Sequence, residues 1–212
     1  MVVKNADGRP ILLAMVKAIH ENKQYLGDID GLIGDGDHGM NMNKGFMTYG
    51  DRLGENETSF TDGLMDLGMV LLNEIGGSMG PIYGTIFMEM SDAAEDAEDI
   101  TLELFGKMLD AGLEGLYGIV DARPGHKTLV DTLYPSVQRI KEAAAAGKDY
   151  AAALDEMKEC AEKGKESTKD MVAVYGRASR LGERSRGVLD AGATSCCIIL
   201  QAMADGMKQV LK

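Results

Sequence analysis

Cysteine is scarce in these 212 residues, and the three present, Cys160, Cys196 and Cys197, do not form a disulfide framework. Two of them are neighbours within an apolar helical run, which marks all three as buried thiols of a reducing cytoplasm. Long apolar runs are missing too: none approaches the roughly 20 residues of a membrane span. The stretch from Ile11 to Ile19 is interrupted by Lys17 and carries no cleavage-site pattern, so no secretory leader is expected. Strand-like alternation with β-branched residues is absent, as is any low-complexity linker. One domain over 1–212 is therefore expected, long enough to bury a substantial core. Basic residues are few: 22 Lys and Arg stand against 34 Asp and Glu, a net charge of −12. Such a surface argues against non-specific binding to nucleic acid or to an anionic membrane.

What is present is a series of helices punctuated by glycine. Pro10 suits the first position of a helix that carries Ile11, Met15, Ala18 and Ile19 and is expected to stop at Gly27. A second helix is expected from Asn41 to Leu53. Leu64, Leu67 and Leu71 form a stripe ended by Gly76-Gly77, and Pro81 opens the next helix. Thr101 is a good N-cap for a helix bearing Phe105, Met108 and Leu116. Gly125 precedes a helix with Leu129, Leu133, Val137 and Ile140, which Pro135 should kink. Asp149 caps another, and the last runs from about Ala193 to Leu211. The pattern predicts an all-α antiparallel bundle or closed helical barrel of about eight helices. The 15 methionines read as core filler.

The glycine-rich connections hold the chemistry. Leu32-Ile33-Gly34-Asp35-Gly36-Asp37-His38-Gly39-Met40-Asn41 places two carboxylates two residues apart, with Asp28 and Asp30 just upstream. Like charges packed so closely need neutralising, and a hard divalent cation bound through carboxylate oxygens does this. A solvated acidic turn is the alternative. Counted from Asp30, the sixth residue is Asp35 and the twelfth Asn41, so the EF-hand pattern fails. With no Cys and one His, zinc is disfavoured, and a Mg²⁺–phosphate style of site fits better. His38 is expected to favour its protonated form among these carboxylates.

Gly76-Gly77-Ser78-Met79-Gly80-Pro81 lies just before a helix and offers backbone amides to an anion, although it lacks the P-loop pattern. From Tyr175 to Gly187 the chain carries four arginines and one glutamate, a local excess suited to phosphate. Asp190-Ala191-Gly192 opens the last helix, where Asp190 either caps it or meets a ribose hydroxyl. Lys127 is a candidate phosphate contact or an ordinary surface lysine. In an up-and-down bundle alternate connections fall at the same end, so these four loops are expected to converge on one site.

Together the segments IGDGDHGMNMNKGF (33–46), GGSMGPIYGTIF (76–87), RPGHKTLVDTL (123–133) and GRASRLGERSRGVLDAGATS (176–195) resemble the nucleotide-binding L subunit of bacterial dihydroxyacetone kinase over nearly the whole chain. The resemblance implies an antiparallel barrel of eight helices with the nucleotide site in loops at one end. It implies that Asp30, Asp35 and Asp37 hold two Mg²⁺ ions. It further implies that His38, Gly39, Met40, Asn41, Ser78, Met79, Leu129, Arg177, Asp190, Ala191 and Gly192 line a site for ADP or ATP, with Arg177 also catalytic. The implied partners are a dihydroxyacetone-binding K subunit and a phosphohistidine carrier, the M subunit; a second copy of the chain is a further candidate. A cytoplasmic location follows. A chain without a fused K portion resembles the phosphotransferase-dependent branch, in which bound ADP is rephosphorylated in place. Met79, where the family usually has Ser, and His126, where it usually has Asp, are departures. They keep open an ATP-dependent subunit for a related short ketose such as a tetrulose, or a regulatory nucleotide-binding paralogue.

Overall fold

The computed structural model describes residues 1–212. Eight α-helices carry the fold: α1 (Gly8–Ile33), α2 (His38–Leu53), α3 (Phe60–Glu74), α4 (Met79–Asp92), α5 (Leu102–Ile119), α6 (Val130–Ala145), α7 (Tyr150–Ser167) and α8 (Ala191–Val210). Each packs against its neighbours in sequence, and α8 returns to pack against α1, so the ring closes. The apolar stripes of all eight meet in a single cluster of 48 buried residues, led by Phe46, Phe60, Phe87 and Phe105. Seven of the methionines, including Met15, Met108 and Met203, lie in that core, where an unbranched thioether fills irregular gaps. Cys196 and Cys197 are buried and unbridged, and burial pushes the Cys197 thiol up to about 12. Both are inert packing groups.

The end of the barrel bearing both termini is tied by short backbone pairings. β1 (Val3–Lys4) pairs antiparallel with β2 (Asp99–Ile100), in the register Val3 to Ile100, and Val3 also bridges Leu211. Asn5 is buried beside them. Its amide donates to Thr61 Oγ1 at 2.9 Å and to the Ala97 carbonyl at 2.8 Å. The connections after α1, α3, α5 and α7 lie at the opposite end.

Two helix boundaries differ from the sequence expectation at the first connection. α1 does not stop at Gly27 but runs six residues further, to Ile33, and α2 begins at His38 rather than Asn41. Gly27 lies inside α1 and does not terminate it, and the glycine that the packing requires is Gly39. A Cβ on Gly39 would lie 1.9 Å from the Lys23 carbonyl and 2.8 Å from the Gly27 amide nitrogen, so the start of α2 rests directly on the α1 backbone. The loop between them shrinks to Gly34–Asp37. α6 begins at Val130 and continues through Pro135 to Ala145. Proline at that position leaves the Asp131 carbonyl without an intrahelical donor. Gly164 of α7 packs onto that carbonyl, where a Cβ would stand 2.3 Å away.

The two kinds of glycine have opposite expected responses. Gly164→Ala forces α6 and α7 apart and should cost about 2–3 kcal/mol. Gly118→Ala, with nothing within 4 Å of the new methyl, should gain up to about 1 kcal/mol. Urea denaturation of both variants checks the contrast; equal changes would contradict the packing account.

Candidate functional site

One cleft of about 430 Å³ opens at the loop end of the barrel. It is lined from four directions: by Asp30, Asp35, Asp37, His38 and Asn41 about the α1–α2 turn, by Gly76 to Met79 with Ile82 and Tyr83 at the start of α4, by Leu129 at the start of α6, and by Tyr175 to Ala178 with Asp190 to Gly192 before α8. The expected convergence is therefore met. Of the nucleotide residues expected from sequence, His38, Asn41, Ser78, Met79, Leu129, Arg177, Asp190, Ala191 and Gly192 line the cleft. Gly39 and Met40 do not: Gly39 is spent on α1 packing, and Met40 points outward, 59% exposed.

Asp30, Asp35 and Asp37 each present a carboxylate oxygen such that all three atoms lie within 4.8 Å of one another. Asp30 sits in the last turn of α1, where the helix dipole disfavours negative charge and no basic residue answers it. Gly36, at φ +77°, turns the chain so that Asp35 and Asp37 face Asp30. Asp28, also upstream in α1, stays outside the trio and accepts from Gln24 at 2.8 Å. Arg177 reaches across the cleft, its Nη1 2.6 Å from Asp35 Oδ2. The donor set is oxygen-only and acidic, which fits Mg²⁺ or Ca²⁺ and not a thiophilic metal.

Helix N-termini face the trio. In an up-and-down barrel the even-numbered helices all begin at this end, so α2, α4, α6 and α8 direct partly positive termini toward the cleft. α8 is capped: Asp190 Oδ2 accepts the Ala193 N–H at 2.7 Å. Burial pushes the Asp190 carboxyl up to about 6, opposed by that bond and by Lys127. α4 has no side-chain cap, and Gly76 and Gly77 before it have open space around them. Uncapped amides beside open glycines are a ready anion site.

Beneath the cleft lies a buried network absent from the sequence reading. His38 Nε2 is 2.8 Å from Ser195 Oγ, which is 2.6 Å from the Tyr83 hydroxyl, which in turn donates to the Gly192 carbonyl at 3.2 Å. It binds the starts of α2, α4 and α8 to one another. The expected charging of His38 is reversed here. Burial lowers its pKa, outweighing the nearby Asp30 and Asp37 carboxylates, because the ring faces the barrel interior. The available signal for Ser195 was a polar residue on an otherwise apolar helix face.

Lys127 is likewise not a phosphate contact. It is 1% exposed, and its ammonium donates to the carbonyls of Thr168 and Val188. His126, the departure from the family pattern, accepts the Arg123 N–H at 3.0 Å and lies 5.4 Å from the Tyr175 ring. Met79 is half-buried at the first position of α4, where its backbone matters more than its side chain.

An eight-helix barrel with this acidic and amide-lined end is the architecture of a DAK2 domain. The chain belongs to that family, whose pattern matches residues 32–205. It is 40% identical over 186 residues to the ADP-binding subunit DhaL of PEP-dependent dihydroxyacetone kinase 1 of Listeria innocua, covering 87% of this chain and 88% of that one. It is 36% identical over 189 residues to the Escherichia coli ADP-binding subunit DhaL of PEP-dependent dihydroxyacetone kinase, covering 88% and 89%. The L-erythrulose kinase of Pectobacterium atrosepticum is 28% identical over 186 residues, but these make up only 32% of its length. In fold, the chain superposes on a dihydroxyacetone kinase of C. freundii in complex with AMP-PNP and Mg²⁺ with a TM-score of 0.68, at 21% identity, covering 97% of this chain and 34% of that one.

Ser195→Ala removes the shared partner of His38 and Tyr83; Tyr83 keeps the Gly192 carbonyl, while His38 Nε2 is left buried and unpaired. Thermal unfolding should report a loss of about 1–3 kcal/mol. An unchanged melting temperature would show that the network contributes nothing.

Proposed function

We propose that this chain, acting as one domain, is the nucleotide-carrying subunit of a phosphotransferase-dependent dihydroxyacetone kinase. The observation that carries the reading is the trio of carboxylates within 4.8 Å beside an uncapped helix N-terminus, in a chain 36–40% identical to ADP-binding DhaL subunits. The reaction would move a phosphoryl group from a phosphohistidine on a carrier M subunit, through bound nucleotide, to a hydroxyl of dihydroxyacetone on a K subunit. Mg²⁺, held as two ions by Asp30, Asp35 and Asp37, would neutralise phosphate charge.

The chain's own residues supply position and electrostatics. Gly76, Gly77, Ser78 and Met79 offer backbone amides to phosphate oxygens. Arg177, 65% exposed and already beside the trio, is placed to stabilise charge on the group being transferred. Ile82 and Leu129 supply an apolar wall suited to a flat base. Asp190 fixes the start of α8 and with it the Gly192 carbonyl. Support for the phosphocarrier branch is the degree of likeness: the two PEP-dependent subunits are 40% and 36% identical to this chain, the erythrulose kinase 28%. The exposed Leu32 and Met40 beside the cleft are available for a partner subunit.

Two experiments test the reading. Asp35→Asn with Asp37→Asn should weaken Mg²⁺–ADP by more than the about 10–100-fold typical of losing an outer-shell partner, measured by calorimetry. Wild-type affinity in the double variant would overturn the site. For the donor, the chain is combined with its K subunit and dihydroxyacetone and given Mg²⁺–ATP alone. We expect at most a single turnover. Sustained turnover without a phosphocarrier would favour an ATP-dependent kinase instead.

A further inference from the structure

The segment between α7 and α8 leaves the barrel at Thr168 and returns at Asp190, and its two ends are tied to each other. The Gly187 N–H donates to the Lys169 carbonyl at 2.7 Å, and the Asp190 N–H donates to Thr168 Oγ1 at 3.0 Å. Lys127 joins both ends from beneath. Its Nζ donates to the Thr168 carbonyl and to the Val188 carbonyl, each at 2.5 Å. One ammonium thus spans the neck of the excursion.

The cost of placing it there is visible. Lys127 is 1% exposed, and burial lowers its pKa against the pull of the Asp190 carboxylate. It is also the one non-glycine residue at positive φ, +59°, a conformation that a side-chain-bearing residue holds only where its surroundings impose it. Those surroundings are specific: Asp131 accepts the N–H of Gly125 at 2.5 Å and of Thr128 at 2.8 Å, moulding the loop that presents the lysine. A lysine kept in a strained, buried place for two carbonyls is more than the loop itself requires.

From the neck the segment is guided to the cleft. The Val174 N–H donates to the His126 carbonyl at 3.2 Å, the Ala173 N–H donates to Ser185 Oγ at 2.9 Å, and Tyr175 packs on the His126 ring. Two residues further on, past Gly176 at φ +70°, Arg177 meets Asp35. We propose that Lys127 is a positioning residue that clasps the neck of the 168–190 segment and so sets where Arg177 stands over the carboxylates. The consequence for Arg177 rests on the nucleotide-site reading above; the clasp itself does not.

The test compares wild type, Lys127→Met, Arg177→Gln and the double variant, with Thr168→Val as an independent lesion in the same neck. Circular dichroism establishes that the helices remain. Trypsin should then cut at Arg180 and Arg184 about tenfold faster in Lys127→Met and in Thr168→Val than in wild type. Unchanged cutting in both overturns the clasp. If Lys127→Met loses its helices, Thr168→Val decides alone by the same criterion. Calorimetry of Mg²⁺–ADP supplies a readout that a merely structural role would not move. Losses from Lys127→Met and Arg177→Gln should overlap, the double variant falling short of the product of the single losses by about threefold or more. Independent, multiplying losses overturn the positioning of Arg177. A wild-type protein that does not bind Mg²⁺–ADP overturns the functional reading, and the cleavage rates then decide the clasp.

Discussion

Three carboxylates held within 4.8 Å of one another are the constraint on which this end of the molecule depends. Their mutual repulsion is worsened by the position of Asp30 at the negative end of α1. Nothing in the hydrophobic effect favours the arrangement, so it must be imposed by surrounding structure and relieved by positive charge. The up-and-down barrel supplies part of that relief through its topology, since every second helix begins at the end where the trio lies. Arg177 supplies another part. On the proposed function, a divalent cation with the phosphates of a nucleotide would complete an alternation of negative, positive and negative charge, in which each layer stabilises the next.

The imposition comes from backbone contacts more than from side chains. α2 lies directly on α1 through Gly39, so the four-residue turn carrying Asp35 and Asp37 has little freedom. The His38–Ser195–Tyr83 network then locks the starts of three helices together below the cleft. Lys127 ties the longest connection at its neck. Rigid element ends, not flexible loops, therefore hold most of the site, as precise positioning of charged groups requires.

Much of this was legible in the sequence. Leucine and methionine stripes at helical spacing gave the count of helices, and alternate glycine-rich connections gave the end at which they meet. The acidic Gly-Asp-Gly-Asp turn announced itself by composition. What could not be read depended on tertiary proximity. Gly27 looks like a terminator by propensity, yet α1 runs on past it, and the missing side chain used for helix contact is that of Gly39. His38 looks charged beside Asp37, yet its ring turns inward and burial prevails. Lys127 looks like a surface cation, and only the folded chain shows it enclosed by carbonyls. Ser195 and Tyr83 lie 112 positions apart, a pairing no local pattern encodes.

The central claim is that metal and nucleotide bind this acidic cleft as one unit. The most direct test is the affinity of the wild-type protein for ADP, measured by calorimetry across a Mg²⁺ titration that begins in EDTA. The account predicts that ADP binding is weak without the metal, because phosphates then face bare carboxylates, and that it strengthens steeply as Mg²⁺ is added. An ADP affinity that is the same in EDTA and in saturating Mg²⁺ would contradict it.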